Sequence, residues 1–372
     1  MSRVYIARCP DYDPQSVAAA LHESLQALAG ENALIKSGQK VVLKVNLLQA
    51  QPPEKAVTTH PVIVAAVARW VKRAGATPIV ADSPGGLLNV GILRHVYQVT
   101  GMAKAAEEGG VALNYDVGCT RRSCPEGRMI KMVDAMRVVA EADAIISLPK
   151  LKTHNLTLFT GATKSLFGTI PGVTKAGYHT KLPTVDTFSE MLIDVLCCYK
   201  PVLTIMDAVV GMEGDGPSGG DPRHVGLLLT STDGIALDAV ATSIIGIPPL
   251  SVPPIAAAAR RGLTTGHVKD IEVLGNRLEA VKIPGFKRPR ARKWNVSDIP
   301  PFLRSWATRQ LIANPQASSR CIACDVCVEN CPVQAITMID KRAHMDLRRC
   351  IHCYCCHELC PHNAVELRQP LL

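Results

Sequence analysis

The sequence predicts an α/β fold: a mainly parallel sheet domain followed by a small α+β unit at the C-terminal end. Three observations lead there. Aliphatic runs such as Val41-Val42-Leu43 and Ala144-Ile145-Ile146 recur without polar alternation, the pattern of strands buried on both faces. These runs alternate with segments of helical periodicity, which makes successive strands parallel. Beyond residue 318 the composition changes abruptly to paired cysteine runs. The low aromatic content (Phe 5, Trp 3, Tyr 7) suits a core built from Ala, Val, Ile and Leu.

The elements read off in order. Asp13-Pro14 is an N-cap and first turn, opening a helix with Val17, Leu21, Leu25 and Leu28 on one face and Gly30 as its stop. Residues 41–45 form a buried strand that ends at Asn46. Pro61 opens a second helix through Val64, Val67, Ala68 and Val71, closing near Gly75. The strand 78–82 carries Ser83-Pro84-Gly85-Gly86 at its carboxyl end. A single helix is predicted over 92–108. Further strands follow at 144–148, 202–207 and 227–229, then a helix through Leu237, Val240 and Ile244. The Gly-rich segment 211–220 reads as a long flexible loop, able to approach a ligand with bare backbone N–H groups through Gly214 and Gly216.

The C-terminal region is read from its thiols. Cys321-x-x-Cys324-x-x-Cys327-x-x-x-Cys331-Pro332 is repeated as Cys350-x-x-Cys353-x-x-Cys356-x-x-x-Cys360-Pro361. This is the spacing of two-cluster ferredoxins, in which the fourth cysteine of each run ligates the other cluster. Cys321, Cys324, Cys327 and Cys360 are therefore expected to hold one [4Fe-4S] cluster, and Cys350, Cys353, Cys356 and Cys331 a second. Zinc knuckles or disulfides fit less well, because zinc sites use four ligands and often mix His with Cys. Cys355 has no place in the pattern and reads as a buried bystander. The fold class is thus a mainly parallel α/β domain (1–281), a basic linker (282–317) and a small ferredoxin-type two-cluster domain (318–372). Of the remaining thiols, Cys197-Cys198 reads as helix packing, and Cys119 with Cys124 is a weaker candidate for a further metal.

Open α/β sheets bind ligands outside the carboxyl ends of their strands. Asn46, the Asp82-Ser83-Pro84-Gly85-Gly86 turn, Pro149-Lys150-Leu151-Lys152-Thr153-His154, and Asp207 with the 211–220 loop all follow strands. Asp82, Ser83, Lys152, His154, Lys164, His179 and Asp207 are expected to converge on one cleft there. Lys152 and Lys164 make it cationic, suited to an anionic small molecule. His154 and His179 are candidate proton carriers. For electrons to arrive, the cluster unit should dock on that face. Gly161-Ala162-Thr163-Lys164-Ser165 lacks the second Gly of a phosphate loop, so a Walker-type NTPase is excluded.

The net charge of +9 is concentrated between residues 282 and 320, where nine Lys or Arg face Asp298 alone. This stretch reads as a solvated linker rather than a nucleic-acid patch, since no stacking array accompanies it apart from Trp294 and Trp306. No run reaches the ~20 apolar residues of a membrane helix, and the N-terminus lacks the order of a signal peptide. With thiolate clusters that need reducing surroundings, the expectation is a cytoplasmic protein of an anaerobic or microaerobic cell, with no membrane partner.

Lys44-Val45-Asn46, Asp82-Ser83-Pro84-Gly85-Gly86, Lys150-Leu151-Lys152-Thr153-His154, Thr160-Gly161-Ala162 with Lys164 and Gly168, Gly214 with Gly216-Pro217, and Asp233, Ala236 and Asp238-Ala239-Val240 together resemble the family labelled domain of unknown function 362. Members of that family carry a C-terminal two-cluster ferredoxin unit, and the label leaves the reaction open. More distantly, the order His154, Lys164, Pro171-Gly172, His179 is similar to a segment of the nickel-dependent lactate racemases. That resemblance implies Lys164 as carrier of a nickel-pincer nucleotide, His179 as a metal ligand and His154 as an acid/base. The first catalytic His of the racemases has no match near Asp82-Ser83, so the likeness implies a shared pocket and not nickel. The function expected is an iron–sulfur oxidoreductase fed by a soluble electron donor or acceptor protein. The alternatives are an electron-carrier or assembly subunit acting on a protein, and a non-redox isomerase with structural clusters.

Overall fold

The N-terminal strand sets the frame, because it is inserted between two strands from the far end of the α/β unit. The computed structural model describes residues 1–29, 34–172, 174–290 and 312–369. β1 (Arg3–Arg8) is followed by α1 (Pro14–Ala29), β2 (Lys40–Lys44), α2 (Pro61–Arg73) and β3 (Thr77–Ala81). Then come α3 (Val90–Val99), α4 (Met102–Gly109), β4 (Ala112–Leu113) and the hairpin β5 (Cys119–Ser123) with β6 (Met132–Met136). α5 (Arg137–Ala140), β7 (Ala144–Ser147), β8 (Lys150–His154), β9 (Leu158–Phe159), α6 (Gly161–Ser165), α7 (Thr174–Lys181) and α8 (Val185–Tyr199) lead to the long strands β10 (Leu203–Glu213) and β11 (Asp221–Ser231). α9 (Gly234–Ile244), α10 (Pro253–Arg260) and β12 (Glu272–Gly275) complete the unit.

The large sheet has the order β12-β1-β11-β10-β7-β2-β3-β4, with β8 and β9 branching from β10. β10, β7, β2, β3 and β4 run parallel, whereas β11 is antiparallel to both β1 and β10. Both faces are covered. Val41 and Leu43 pack with α1 and α2, while Val42 packs with Phe188, Met191 and Leu192 of α8. That alternation on one strand is the period-two consequence of a sheet buried on each side.

Several sequence expectations change here. The helix expected over 92–108 is two helices, broken where Gly101 takes φ +74, a left-handed conformation that suits Gly. The flexible loop expected over 211–220 is shorter: Gly211, Met212 and Glu213 pair with Arg223, Pro222 and Asp221 as strand. A Cβ on Gly211 would lie 2.7 Å from the Leu151 side chain, so its glycine lets β8 lie against β10. Residues 150–154, expected as a loop, are that strand. Cys124 is neither a metal ligand nor free: it is disulfide-bonded to Cys198, 74 residues on, which ties the β5–β6 hairpin to α8 and removes Cys198 from simple helix packing.

Of the basic segment 282–317, residues 291–311, with Trp294 and Trp306, lie outside the described residues. Before them, Phe286 is buried beside α9 and the Lys287 N–H donates to Glu213 at 3.0 Å. After them, β13 (Asn314–Ala317) pairs antiparallel with β16 (Val365–Arg368), and β14 (Ile336–Ile339) forms a hairpin with β15 (Arg342–Met345). Two short helices, Val326–Glu329 and Cys355–Glu358, complete this small unit.

Candidate functional site

Chain neighbours build the floor of the cleft. Lys44 ends β2, and its strand partner in register is Ala81, the last residue of β3. Asp82 follows, so its carboxylate meets the Lys44 ammonium at 3.0 Å, with both buried. Asp82 also accepts the N–H groups of Leu47 (2.5 Å) and Ser83 (2.9 Å), which fixes the loops after both strands. Lys175 of α7 donates to Ser83 O at 2.5 Å and Pro84 O at 2.9 Å, holding the Asp82–Gly86 turn from above.

β8 brings in Lys152, fully buried, whose ammonium donates to Val57 O (2.6 Å) and Pro217 O (3.2 Å). No carboxylate of a described residue pairs with it. Burial lowers it to about 7, and neighbouring Lys164 pushes in the same direction. Burial likewise lowers Lys175 to about 8, against the pull of Asp82. Lys164 is delivered by α6, a single turn whose start is held by Asp238: its carboxylate accepts from Ala162 N (2.6 Å) and Thr163 N (3.0 Å). Asp238 stands one turn into α9, whose N-cap is Asp233, accepting from Ile235 N and Ala236 N. One helix therefore spends one aspartate on its own cap and the other on the turn bearing Lys164. Gly161 begins that turn at φ +51, and a Cβ there would lie 2.1 Å from Asp238 Oδ1. The Lys164 ammonium makes no hydrogen bond or salt bridge with a described residue.

The fourth wall comes from the C-terminal unit. Asn330, Cys355, Glu358 and Leu359 line the same cavity as Asp82, Ser83, Lys152, Lys164, Lys175 and His179. The docking is specific: Ser218 Oγ donates to Glu358 O at 2.9 Å, the His357 ring bridges Val365 O (2.6 Å) and Asp215 O (3.2 Å), and Leu359 packs against Gly85. His154 stands one layer behind Glu358, its Nε2 3.1 Å from Glu358 Oε1. His154 Nδ1 accepts the Leu156 N–H at 3.0 Å, so the proton of the neutral ring sits on Nε2, close to the carboxylate but not aligned on it as a hydrogen bond. Burial, reinforced by Lys164, lowers His154 to about 4. Burial works to raise Glu358, but His154, Lys164 and His179 outweigh it and hold the carboxyl well below the usual range. His179 is stacked on Phe188 with ring centroids 4.4 Å apart and is lowered by burial to about 4.

The structure thus brings Asp82, Ser83, Lys152, Lys164 and His179 to one cavity, with His154 just behind it. It does not bring Asp207, Gly214 or Gly216. Asp207 is engaged in a separate buried network, accepting from Lys150 Nζ (2.8 Å), Tyr12 OH (2.9 Å) and His60 N (2.9 Å). Gly214 and Gly216 present carbonyls to Thr153 Oγ1 (2.8 Å) and Asn155 Nδ2 (2.9 Å), and the loop offers Pro217, not its glycines, to the cavity. Sequence reasoning missed Lys44, Lys175 and Glu358. Lys44 sits inside the Lys44-Val45-Asn46 motif, and Lys175 lies between Pro171-Gly172 and His179. Glu358 carries a positional signal, lying midway between Cys356 and Cys360.

The thiols of the small unit lie near enough to raise one another's pKa. Cys321, Cys324, Cys327 and Cys360 line one cavity. Burial and the other three thiols of that set raise Cys327 to about 11. Cys356 is raised by burial and then by Cys353, Cys350, Cys327 and Cys331. Within each run the residues at Ala323 and Asp325, and at His352 and Tyr354, take left-handed φ, winding the loop so that its thiols face inward. Backbone N–H groups of Ala335, His352 and Ala364 point at the sulfurs of Cys331 (3.2 Å), Cys350 (3.4 Å) and Cys360 (3.1 Å). Among the described residues no three His, Cys, Asp or Glu side chains are gathered tightly enough for a single metal ion. The wider quartets, with amides aimed at sulfur, fit thiolate-held clusters.

Residues 41–243 match the sequence model of a family described as a domain of unknown function, DUF362. The chain belongs to this DUF362 family. Residues 320–364 of this DUF362 protein match a 4Fe-4S dicluster domain. A thylakoid-associated protein of Synechocystis sp. is 36% identical over 300 residues, covering 77% of this chain and 91% of its own. Among solved structures, the lactate racemase apoprotein from Thermoanaerobacterium thermosaccharolyticum is similar with a TM-score of 0.41 at 13% identity over 67% of this chain. The chain spans 58% of the racemase's length. A protein from Thermotoga maritima is similar with a TM-score of 0.35 at 13% identity, over 61% of this chain and 57% of its own.

The Synechocystis name corrects the cytoplasmic location expected from the cluster chemistry. Reducing surroundings are what thiolates require, and they do not require distance from a membrane. No helix among the described residues is long and apolar enough to cross one. The dicluster domain and the α/β fold together are consistent with a redox or electron-transfer role.

Proposed function

We propose that this chain is an iron–sulfur oxidoreductase that passes low-potential electrons through two [4Fe-4S] clusters to an anionic small molecule in the α/β cleft. The observation that carries the reading is the fourth wall: Cys355, Glu358 and Leu359, interleaved with Cys356 and Cys360, close a cavity lined by Lys152, Lys164 and Lys175. Cys321, Cys324, Cys327 and Cys360 would hold one cluster and Cys350, Cys353, Cys356 and Cys331 the other. When bound, such clusters supply one-electron transfer at potentials set by burial and by hydrogen bonds to sulfur.

The chain's own residues do the rest. The three lysines hold the anion, with Lys164 as the cation not already engaged. Phe167, Leu48 and Leu359 keep water from its far side. His154 keeps a proton on Nε2 beside Glu358, and His179 stays neutral in the wall, so proton carriers border the cleft. The division into 1–281, 282–317 and 318–372 belongs to this reading, as does a soluble electron donor or acceptor protein. The name of the Synechocystis relative suggests that the chain works at a membrane surface.

The test uses anaerobically purified full-length protein. It should contain about eight iron and eight sulfide per chain, two cubanes by the cysteine pattern. After reduction, its visible absorbance should recover on adding an anionic acceptor, and Lys164→Gln, with the same iron content, should slow that recovery at least about tenfold, the effect of one lost charge-assisted contact. Recovery at equal rates in both proteins, or recovery only with an added protein, would place the redox step outside the cleft.

A further inference from the structure

The cleft's charges say more about its ligand than that it is anionic. Resting on the reading above, we propose that the site binds a compact dianion, a dicarboxylate or a phosphate group, across Lys164, Lys152 and Lys175, and that Lys152 takes up a proton as it binds.

Four ammoniums, those of Lys44, Lys152, Lys164 and Lys175, meet only two carboxylates, Asp82 and Glu358. Lys44 is matched by Asp82 at 3.0 Å. Glu358 is the one carboxylate left, and it is turned to His154. Burying unmatched charge is costly, and a protein lowers that cost by shedding protons or by binding a counter-charge. The cavity has a volume of about 90 Å³, enough for a compact ligand. Two lining atoms, Asn46 Oδ1 and Ser165 Oγ, are buried and have no hydrogen-bond partner. They supply an acceptor and a hydroxyl for polar atoms that are not part of the charged groups, and they mark the space as a polar site left incomplete by the chain alone.

The proton follows from Lys152. It faces Lys164 from α6, Glu358 from the C-terminal unit, Lys150 on its own strand and Asp82 after β3. In that setting it is lowered to about 7, so above neutrality the empty cleft holds it mostly uncharged. A dianion placed beside it favours the ammonium, and the proton comes from solvent.

Isothermal titration calorimetry on the full chain with its clusters, under anaerobic conditions, tests both parts. Succinate, inorganic phosphate and acetate serve as probes between pH 8 and 9, where all three are ionised. In buffers of different ionisation enthalpy, the heat should report proton uptake on binding, and affinity should fall as pH rises, about tenfold per pH unit for each linked proton. Succinate or phosphate should bind at least tenfold tighter than acetate, and which of the two prevails distinguishes a carboxylate ligand from a phosphate one. Lys152→Met should lower the uptake by close to one proton, with Lys175 accounting for the remainder. Lys164→Gln, at a half-buried position without ion-pair partners, should keep the fold and weaken the dianion at least tenfold. Equal binding of acetate and dianions, heats that do not depend on buffer, or an unchanged Lys164→Gln would overturn the proposal. None of these readouts involves electron transfer, so a dianion that binds as described but never reoxidises the reduced protein would sink the redox reading and leave this one standing.

Discussion

β8 carries two buried lysines two residues apart, and their surroundings differ completely. Lys150 meets Asp207 at 2.8 Å and Tyr12 OH at 2.8 Å, while Tyr12 stacks on His60 at 3.5 Å and the His60 N–H closes on the same carboxylate. Every member of that network has its partners inside the chain. Among the described residues Lys152 has only two carbonyls, and the ammonium of its neighbour Lys164 has no hydrogen-bond or ion-pair partner. Satisfied buried networks rigidify a fold, whereas incomplete ones mark a place where something else binds. The comparison separates a structural ion pair from a recognition site made of the same residue types on the same strand.

The largest effect should come from breaking the closed network. Asp207→Ala leaves Lys150 as an uncompensated buried charge, which costs about 3–5 kcal/mol when one partner of a buried pair is removed. Chemical denaturation should show that loss for Asp207→Ala, against a change within about 0.5 kcal/mol for Lys164→Gln, the range of substitutions away from structural contacts. Similar losses in both would erase the distinction.

A smaller effect is expected between the units. His154→Phe strips Glu358 of its nearest partner at the docked surface, and an orphaned buried polar group costs about 1–3 kcal/mol. Proteolysis of the native protein should then cut faster within the C-terminal unit. An unchanged cleavage rate would mean that Glu358 is held by its backbone contact with Ser218 alone.

The smallest effect per group is in pH dependence. His60, His154 and His179 are each lowered by burial to about 4. The unfolded chain therefore binds more protons than the native one between about 4 and the usual 6.5. Stability is fully present above 6.5 and falls as pH drops through that window. Denaturation midpoints between pH 7.5 and 5 should slide with proton uptake approaching three per chain. His60→Asn should remove one proton from the closed network without touching the cleft, and an undiminished slope there would mean that His60 titrates normally.

Much of the cleft was legible because parallel sheets place ligands at carboxyl strand ends, and Asp82, Lys152 and Lys164 each follow or occupy such an end. Asp207 shows where that rule stops. It too sits at a strand position beside the cleft, but sequence cannot say which of two lysines a carboxylate will face, and Lys150 takes it. The Gly-rich 211–220 segment misled for a related reason: Gly211 serves close strand packing against Leu151, a tertiary demand with no local signature. Glu358 lay hidden because its role depends on how two units dock. The cysteine pattern, by contrast, is local in spacing and needed no tertiary knowledge to read.

The inserted N-terminal strand bears on how the protein is made. Val4 pairs in register with Ser231 and Arg3 with Glu272, and Val4 and Ile6 end fully buried. During synthesis β1 emerges long before β11 and β12, the strands it pairs with. It stays unpaired and apolar until nearly the whole α/β unit has emerged, a span over which long-range pairing is slow and exposed edges invite wrong partners. A nascent chain stalled before β11 would carry that strand with nowhere to put it. Closure of the sheet around β1 is thus tied to completion of the strands at the far end of the α/β unit.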